Sequence, residues 1–102
     1  MSSDSLAVRL TRLMMAGRLS VADLAHWLNR PHSTVRLWVR GETEPKGGAS
    51  ASFLTFERLE ALERYVRAGH SIPETSAYER PEVIRQARDG FQRGELPTRN
   101  TA

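Results

Sequence analysis

The sequence contains no cysteine, which excludes disulfide bonds and cysteine-ligated metal sites. It has no apolar run that approaches the length of a membrane span, and its first residues, MSSDS, lack the pattern of a signal peptide. The spacing of His26, His32 and His70 fits no metal site, and no P-loop or dinucleotide fingerprint is present. These absences predict a cytoplasmic protein that is not an enzyme and that needs no metal or other cofactor.

Aromatic residues are few, at 7% of the 102 residues, and the apolar residues together reach 39%. This length and composition are typical of one small domain. The formal charge is only +3, but all of the excess lies in residues 1–46, which hold seven basic and four acidic side chains; residues 47–102 hold eight of each. Fourteen of the 15 basic residues are arginine. Arginine suits contacts to phosphate and guanine, but a GC-rich genome explains the same preference equally well.

Residues 19–41, LSVADLAHWLNRPHSTVRLWVRG, have the pattern of two short helices joined by a tight turn. Ser20 is a good N-cap for the first of them, and Asp23 occupies a position that suits both a capping box and the helix dipole. Asn29 falls where this helix stops, and asparagine accepts the left-handed backbone of a helix end. The residues that recur at helical spacing predict one buried face: Val21, Leu24, Ala25 and Leu28.

The second helix of the pair is predicted from about residue 32 to residue 40. Pro31 cannot continue the first helix but suits the start of the next one, and Gly41 provides a C-cap. Val35 and Trp38 form the buried face of this helix. Trp27, on the first helix, is expected to be a half-buried core residue rather than a ring that stacks on a base. Together these features predict a helix-turn-helix.

This stretch resembles the helix-turn-helix of the Cro and phage-repressor family, also called the XRE family. The resemblance covers residues 6–45 without a gap through the motif, and it rests on Leu24-Ala25, Ser33-Thr34-Val35, Trp38, Arg40-Gly41 and Pro45. Asn29 stands at the family's turn glycine. Two positions depart from the family pattern: Arg30 replaces an apolar turn residue, and Pro31 replaces a Ser or Thr cap.

The resemblance implies that the second helix enters the major groove of DNA, where its exposed residues contact base edges. The matching positions are His32, Ser33 and Leu37, with Arg36 close by. Arg36 suits a bidentate contact to guanine and equally a phosphate contact. Amides at the start of the first helix and side chains around the pair would contact the DNA backbone: Arg12, Arg18, Ser20, Val21, Arg30, Arg40, Thr43 and Lys46. The simpler alternative is that the arginines form a solvated basic face.

Two further helices are predicted to close the core around this pair. The first spans about residues 5–16, is capped by Ser3 or Asp4 and ends at Gly17. The second spans residues 53–68, follows a loop at residues 41–52, is capped by Ser52 or Thr55 and ends at Gly69. Their inward stripes are Leu6, Leu10, Leu13 and Met14 on the first helix, and Phe56, Leu59, Leu62 and Val66 on the second.

Helix 53–68 has two interpretations. It either only closes the core or also forms a dimer interface, because Phe53, Leu54, Tyr65 and Val66 widen its apolar surface. Helix-turn-helix proteins of this family usually bind two half-sites as dimers, so we expect a homodimer on an inverted repeat, formed through this helix or through the C-terminal helix.

The C-terminal third is predicted to contain an irregular link after residue 69, a short helix at about residues 81–93 and a disordered tail from residue 95. Pro81 fits the first turn of that helix, with Val83, Ile84, Ala87 and Phe91 on one face. This helix either docks on residues 1–69, is exchanged between subunits or binds another protein. The overall expectation is an all-α bundle of four to five helices, with a helix-turn-helix domain at residues 1–69 and a C-terminal helical extension.

Three functions are compatible with these features. The first is a sequence-specific transcriptional regulator of phage or prophage type, similar to a repressor or Cro. The second is a DNA-recognition subunit resembling an excisionase or a small terminase. The third is a protein-interaction module that no longer reads DNA. The sequence shows no evident site for a small-molecule ligand.

Overall fold

The computed structural model describes residues 4–45 and 49–94, without the side chains of residues 49–51. These residues form five helices: α1 Leu6–Gly17, α2 Val21–Leu28, α3 His32–Val39, α4 Ala49–Arg67 and α5 Arg80–Gln92. The predicted all-α fold is confirmed for the part of the chain that is described. The predictions for Lys46 and for the tail from residue 95 lie outside it.

Both ends of α2 lie where the sequence predicts them. The Ser20 side chain accepts a hydrogen bond from the Asp23 amide at 3.1 Å, and the Asp23 carboxylate accepts one from the Ser20 amide at 3.0 Å. This reciprocal pair is the predicted capping box. Asn29 ends the helix with a left-handed backbone, at φ 58°. Residues 29–31 then join α2 to α3 with Pro31 immediately before α3, as predicted.

The ends of α1 differ from the prediction. Ser5, rather than Asp4, caps the helix, because its hydroxyl accepts a hydrogen bond from the amide of Val8. Ser3, the other predicted cap, lies outside the described residues. Gly17 does not provide the left-handed residue; Arg18 does, at φ 56°. Gly17 allows close packing instead, since a Cβ at this position would lie 3.1 Å from the Leu19 side chain, closer than an ordinary van der Waals contact.

Helix α4 starts earlier than predicted, at Ala49, so residues 49–52 belong to the helix and not to the predicted loop. The predicted caps Ser52 and Thr55 are therefore wrong, since both lie inside the helix. The small residues of ASAS, next to two glycines, are typical of a loop, but alanine favours a helix and serine tolerates one. Thr55 is only 1% exposed, and its hydroxyl accepts a hydrogen bond from Arg30 Nε at 3.1 Å.

The core lies where the five helices meet. Its fully buried members include Leu10, Leu24, Leu28, Val35, Leu59 and Leu62. Trp27 is 1% exposed, not half-buried, and its indole N–H donates to the Arg58 carbonyl at 2.8 Å. The core role predicted for Trp27 is confirmed, and this burial excludes stacking on a base. No side-chain nitrogen or oxygen buried in the described residues is without a hydrogen-bond partner.

Tyr65 belongs to this core and does not widen an exposed surface, contrary to the prediction. It is 4% exposed, and its ring centroid lies 5.0 Å from that of Trp27 and 5.4 Å from that of Phe91. Its hydroxyl donates to the Ser71 carbonyl at 2.9 Å. Burial raises the pKa of Tyr65. This aromatic cluster joins α2, α4 and α5.

Helix α5 docks on α2 and α4 of the same chain, which is the first of the three roles considered for it. Ile84 is its most buried apolar residue, at 1% exposure. Arg80, at the start of α5, binds Asp23 in the first turn of α2. Arg88, two turns later, donates to the carbonyl of Trp27 at 3.0 Å in the last turn of α2. Helix α5 therefore runs parallel to α2 and contacts both of its ends.

Arginines gather at the C-terminal end of α2, where the helix dipole is negative. The Arg88 guanidinium lies within hydrogen-bond distance of two consecutive α2 carbonyls, and Arg58 Nη1 donates to the Leu28 carbonyl at 3.4 Å. Burial lowers the pKa of Arg58, and the positive charges of Arg88 and Arg30 lower it further. The carbonyls that lack an intrahelical partner at this helix end thus accept hydrogen bonds from side chains of α4 and α5.

We predict that Arg88→Met destabilises the fold by about 1–3 kcal/mol, because a buried α2 carbonyl loses a charged hydrogen-bond donor while the apolar stem is retained. Urea unfolding measures the loss. Arg85→Met is the matched control, since Arg85 lies on the same helix, its side chain is 42% exposed and it pairs with Glu82 of the same helix. Equal stability of the two variants would contradict the capping role of Arg88.

Candidate nucleic-acid interface

Helix α3 has one buried face and one exposed face. Val35 and Trp38 are buried at 0% and 3% exposure and fix the helix on the core. His32, Ser33 and Arg36 are exposed on the other side. The structure thus brings three of the four predicted base-reading residues together on one accessible strip of helix.

Leu37, the fourth predicted reader, is half-buried. It lines a shallow groove of about 460 Å³ beside α3, whose walls are Arg30, Pro31, Thr34, Leu37, Trp38, Thr43, Glu44 and Pro45. The exposed part of the leucine side chain offers an apolar contact at the edge of the strip. Apolar contacts of this kind suit the methyl group of thymine.

His32 and Arg36 lie one helical turn apart and face each other. Arg36 Nη2 is 3.5 Å from His32 Nε2. Side chains at i and i+4 are neighbours on a helix surface, so both groups present their nitrogens to the same region of solvent. The strip therefore combines a guanidinium fork, an imidazole and the hydroxyl of Ser33, all of which can donate hydrogen bonds.

The amides at the start of α2 are not arranged as the predicted contact to the DNA backbone requires. The Ser20 amide was expected to be available to a phosphate, but it already donates to the Asp23 carboxylate within the capping box. Val21, the neighbouring predicted contact, is half-buried. The capping box that marks the start of α2 therefore occupies the Ser20 amide, which does not remain available to a phosphate.

Asp23 also accepts hydrogen bonds from Arg80, a pairing that the sequence did not predict. Arg80 Nε and Nη2 donate to its two carboxylate oxygens at 2.7 Å and 3.0 Å, a bidentate pair across 57 residues. Burial of Asp23 opposes ionisation, but the bonds from Arg80 and Ser20 outweigh it and lower the carboxyl pKa below its ordinary value of 3.8. No short-range sequence signal links these two residues, because the pairing depends on how α5 docks.

The remaining predicted backbone contacts fall into two groups. Arg18 and Thr43 are exposed, as are Arg12, which pairs with Asp4, and Arg40, which lies 3.7 Å from Glu42. Exposed pairs of this kind are weak and exchange readily for another partner. Arg30 is different, since it is half-buried and bonded to Thr55 of α4. It links the turn to α4.

Two further findings concern other kinds of site. Within the described ranges, no three His, Cys, Asp or Glu side chains come close enough together to hold a metal ion. In the same ranges, each helix is too short or too polar to pass through a membrane.

Comparisons with protein-family models, with curated proteins and with solved structures gave no match to this chain.

We predict that Asp23→Asn reduces the dependence of stability on pH in acid. The folded-state pKa of Asp23 is lowered, so its contribution is complete above pH 3.8 and is lost as the pH falls through the folded-state value. The free energy of unfolding, measured by urea titration between pH 2 and pH 6, should fall less steeply for the variant. Arg80→Gln should act in the same direction, because it removes the largest of the hydrogen-bond contributions that lower the pKa of Asp23. Arg85→Gln should retain the wild-type curve. If the free energy of unfolding falls equally steeply with decreasing pH in wild type and in Asp23→Asn, the role assigned to Asp23 is wrong.

Proposed function

We propose that the protein is a sequence-specific double-stranded DNA-binding protein, a transcriptional regulator of the phage-repressor or Cro kind. In this proposal α3 enters the major groove of an operator. The observation that carries it is the division of α3 into a face fixed on the core by Val35 and Trp38 and a face that exposes His32, Ser33 and Arg36. Such a helix is held rigidly while its donors remain accessible, which base readout requires.

The chemistry of the exposed strip supports reading of guanine. Arg36 can donate two hydrogen bonds to O6 and N7 of one guanine, and His32 can donate to the same edge of a neighbouring base. Ser33 can donate or accept and discriminates poorly. The exposed part of Leu37 favours a thymine methyl group. The strip therefore predicts an operator half-site that contains guanine and thymine.

The charge distribution supports the same proposal. The excess of +3 lies in residues 1–46, and exposed arginines at positions 12, 18 and 40 flank the strip in sequence. Cationic side chains around a reading helix neutralise phosphates and release counterions, so affinity should fall steeply with salt.

We predict that selection from randomised duplex DNA, at two salt concentrations, recovers a defined site whose affinity falls with salt. Arg36→Ala should weaken binding to that site by about 1–3 kcal/mol and relax specificity at one base position, because a bidentate contact is lost. Arg64→Ala is the control, since Arg64 is exposed on α4 away from α3. Uniform weakening over all sequences would assign Arg36 to a phosphate instead.

A wild-type protein that enriches no site and shows no salt dependence would overturn the DNA-binding proposal. Binding through a protein partner would then replace it as the function to test. A closed ring of subunits on DNA would instead favour a packaging subunit of the small-terminase kind over a regulator.

We also propose a homodimer on two half-sites, formed through the N-terminal part of α4. The apolar face of α5 is packed within its own chain, which leaves it little free apolar surface. Phe53 and Leu54 on α4 are 65% and 45% exposed. These two neighbouring side chains offer an apolar patch that a second copy of the chain could cover.

We predict that the double variant Phe53→Ser, Leu54→Ser remains monomeric where the wild type dimerises on DNA. Light scattering, free and with a two-half-site duplex, measures the mass. Tyr78→Ser is the control, because Tyr78 is 93% exposed but lies in the segment between α4 and α5. A wild-type protein that stays monomeric on DNA would count against the dimer.

A further inference from the structure

His32 and Arg36 form an exposed pair on α3, and the chemistry of arginine decides which state of His32 the contact needs. Arg36 Nη2 lies 3.5 Å from His32 Nε2. A guanidinium carries only N–H donors, so this contact is a hydrogen bond only when Nε2 has no proton and acts as the acceptor. The contact therefore requires a neutral imidazole with its proton on Nδ1.

The charged form of His32 does not support this contact. Both ring nitrogens of an imidazolium are donors, so the acceptor for Arg36 is lost. Two positive groups then face each other across the same short distance. Repulsion between two unit charges about 4 Å apart in water changes an equilibrium about fivefold. The position of the Arg36 guanidinium thus depends on whether His32 carries a charge.

The elements packed against α3 place no ion-pair partner on either side chain. Helices α1 and α2 pack against α3, and their titratable side chains are Arg9, Arg12, Asp23 and His26. The first three of these pair with Glu63, Asp4 and Arg80, and His26 is half-buried on α2.

The segments that flank α3 contribute further charged side chains, namely Arg30, Arg40, Glu42 and Glu44. Arg30 is bonded to Thr55, and Arg40 lies 3.7 Å from Glu42. Within the part of the chain that the structure describes, no ion pair joins a carboxylate to Arg36 or His32. The contact between these two side chains is therefore what orients Arg36.

Arg36 keeps enough donors for a base while His32 holds it. A guanidinium carries five N–H donors and this contact uses one of them, so enough remain for the two bonds to the O6 and N7 atoms of guanine. A long side chain that is already oriented loses less conformational freedom when it binds, which favours the bound state.

We propose that neutral His32 positions Arg36 for base readout by accepting a hydrogen bond from Arg36 Nη2 at Nε2. This proposal rests on the DNA-binding function proposed above and names the residue that controls its specificity. Protonation of His32, which for histidine falls between about pH 5 and pH 8, then weakens discrimination at the guanine that Arg36 reads. The same added charge strengthens the attraction to phosphates, which carries no sequence information.

The experiment measures discrimination as well as affinity. Dissociation constants of the full chain are compared at about pH 5.5 and about pH 8, for the selected site and for the same duplex with the guanine assigned to Arg36 replaced. The ratio of the two constants should fall about fivefold at the lower pH, because repulsion displaces Arg36. Affinity for an unrelated duplex should not fall. Both pH values lie above the range in which Asp23 is protonated, so that group does not change the fold.

Variants of His32 separate positioning from other effects. His32→Ala removes the acceptor, so it should lower the ratio at pH 8 and abolish its change with pH. His32→Gln supplies a neutral amide oxygen that can accept from Arg36, so it should restore most of the discrimination and make it independent of pH. His26→Gln is the matched control, since His26 is a half-buried histidine on α2, and it should retain the wild-type pH dependence.

A double-mutant cycle tests whether His32 acts through Arg36. In the Arg36→Ala background, His32→Ala should cause no further loss at that base position, because the residue that it positions is absent. A further loss there would assign His32 to direct contact with that base and overturn the positioning role. A wild-type ratio that stays constant with pH would overturn it as well, while DNA binding stands. A chain that selects no site overturns DNA binding and this inference with it.

A measurement on the free protein gives an answer without DNA. The ¹⁵N chemical shifts of the His32 ring at about pH 8 report which nitrogen carries the proton. Wild type should show the proton on Nδ1, and Arg36→Ala should increase the population protonated on Nε2, because the donor to Nε2 is lost. A wild-type ring that is protonated mainly on Nε2 would overturn the inference.

Discussion

The carboxylate of Asp23 joins the local structure of α2 to the tertiary structure of the chain. One of its oxygens accepts the Ser20 amide that closes the capping box, and both accept hydrogen bonds from Arg80 at the start of α5. At the other end of the same helix, Arg88 satisfies the carbonyl of Trp27. An eight-residue helix is too short to be stable alone, so these contacts and the core hold α2 in place.

The position of α3 follows from that constraint. Only residues 29–31 separate it from α2, and Asn29 sets the direction of the chain by its left-handed backbone. Arg30 ties this turn to Thr55 of α4, while Trp38 buries the inner face of α3. The outer face is thereby held in a defined orientation. Because α5 holds α2, and α2 carries the turn, the C-terminal helix is mechanically connected to the proposed reading surface.

The prediction of the candidate site from sequence was strongest for residues on α3. A helical period assigns Val35 and Trp38 inward and His32, Ser33 and Arg36 outward without knowledge of any neighbour. The prediction was weaker for side chains whose burial and hydrogen bonding depend on a residue from another helix. Nothing local distinguishes the half-buried Arg30, bonded to α4, from the exposed Arg18. Likewise, only the docking of α5 identifies Arg80 as a cationic group beside α2.

Local sequence patterns were sufficient to predict five helices, the capping box at Ser20, the left-handed Asn29 and the two faces of α3, although not the start of α4. These features depend on residue identities within one or two turns, where backbone geometry and capping chemistry act directly. Three features became visible only in the packed fold: Tyr65 is a core residue, α5 packs parallel to α2, and Arg80 pairs with Asp23. Such contacts join residues far apart in sequence, and their formation depends on how complete helices pack together.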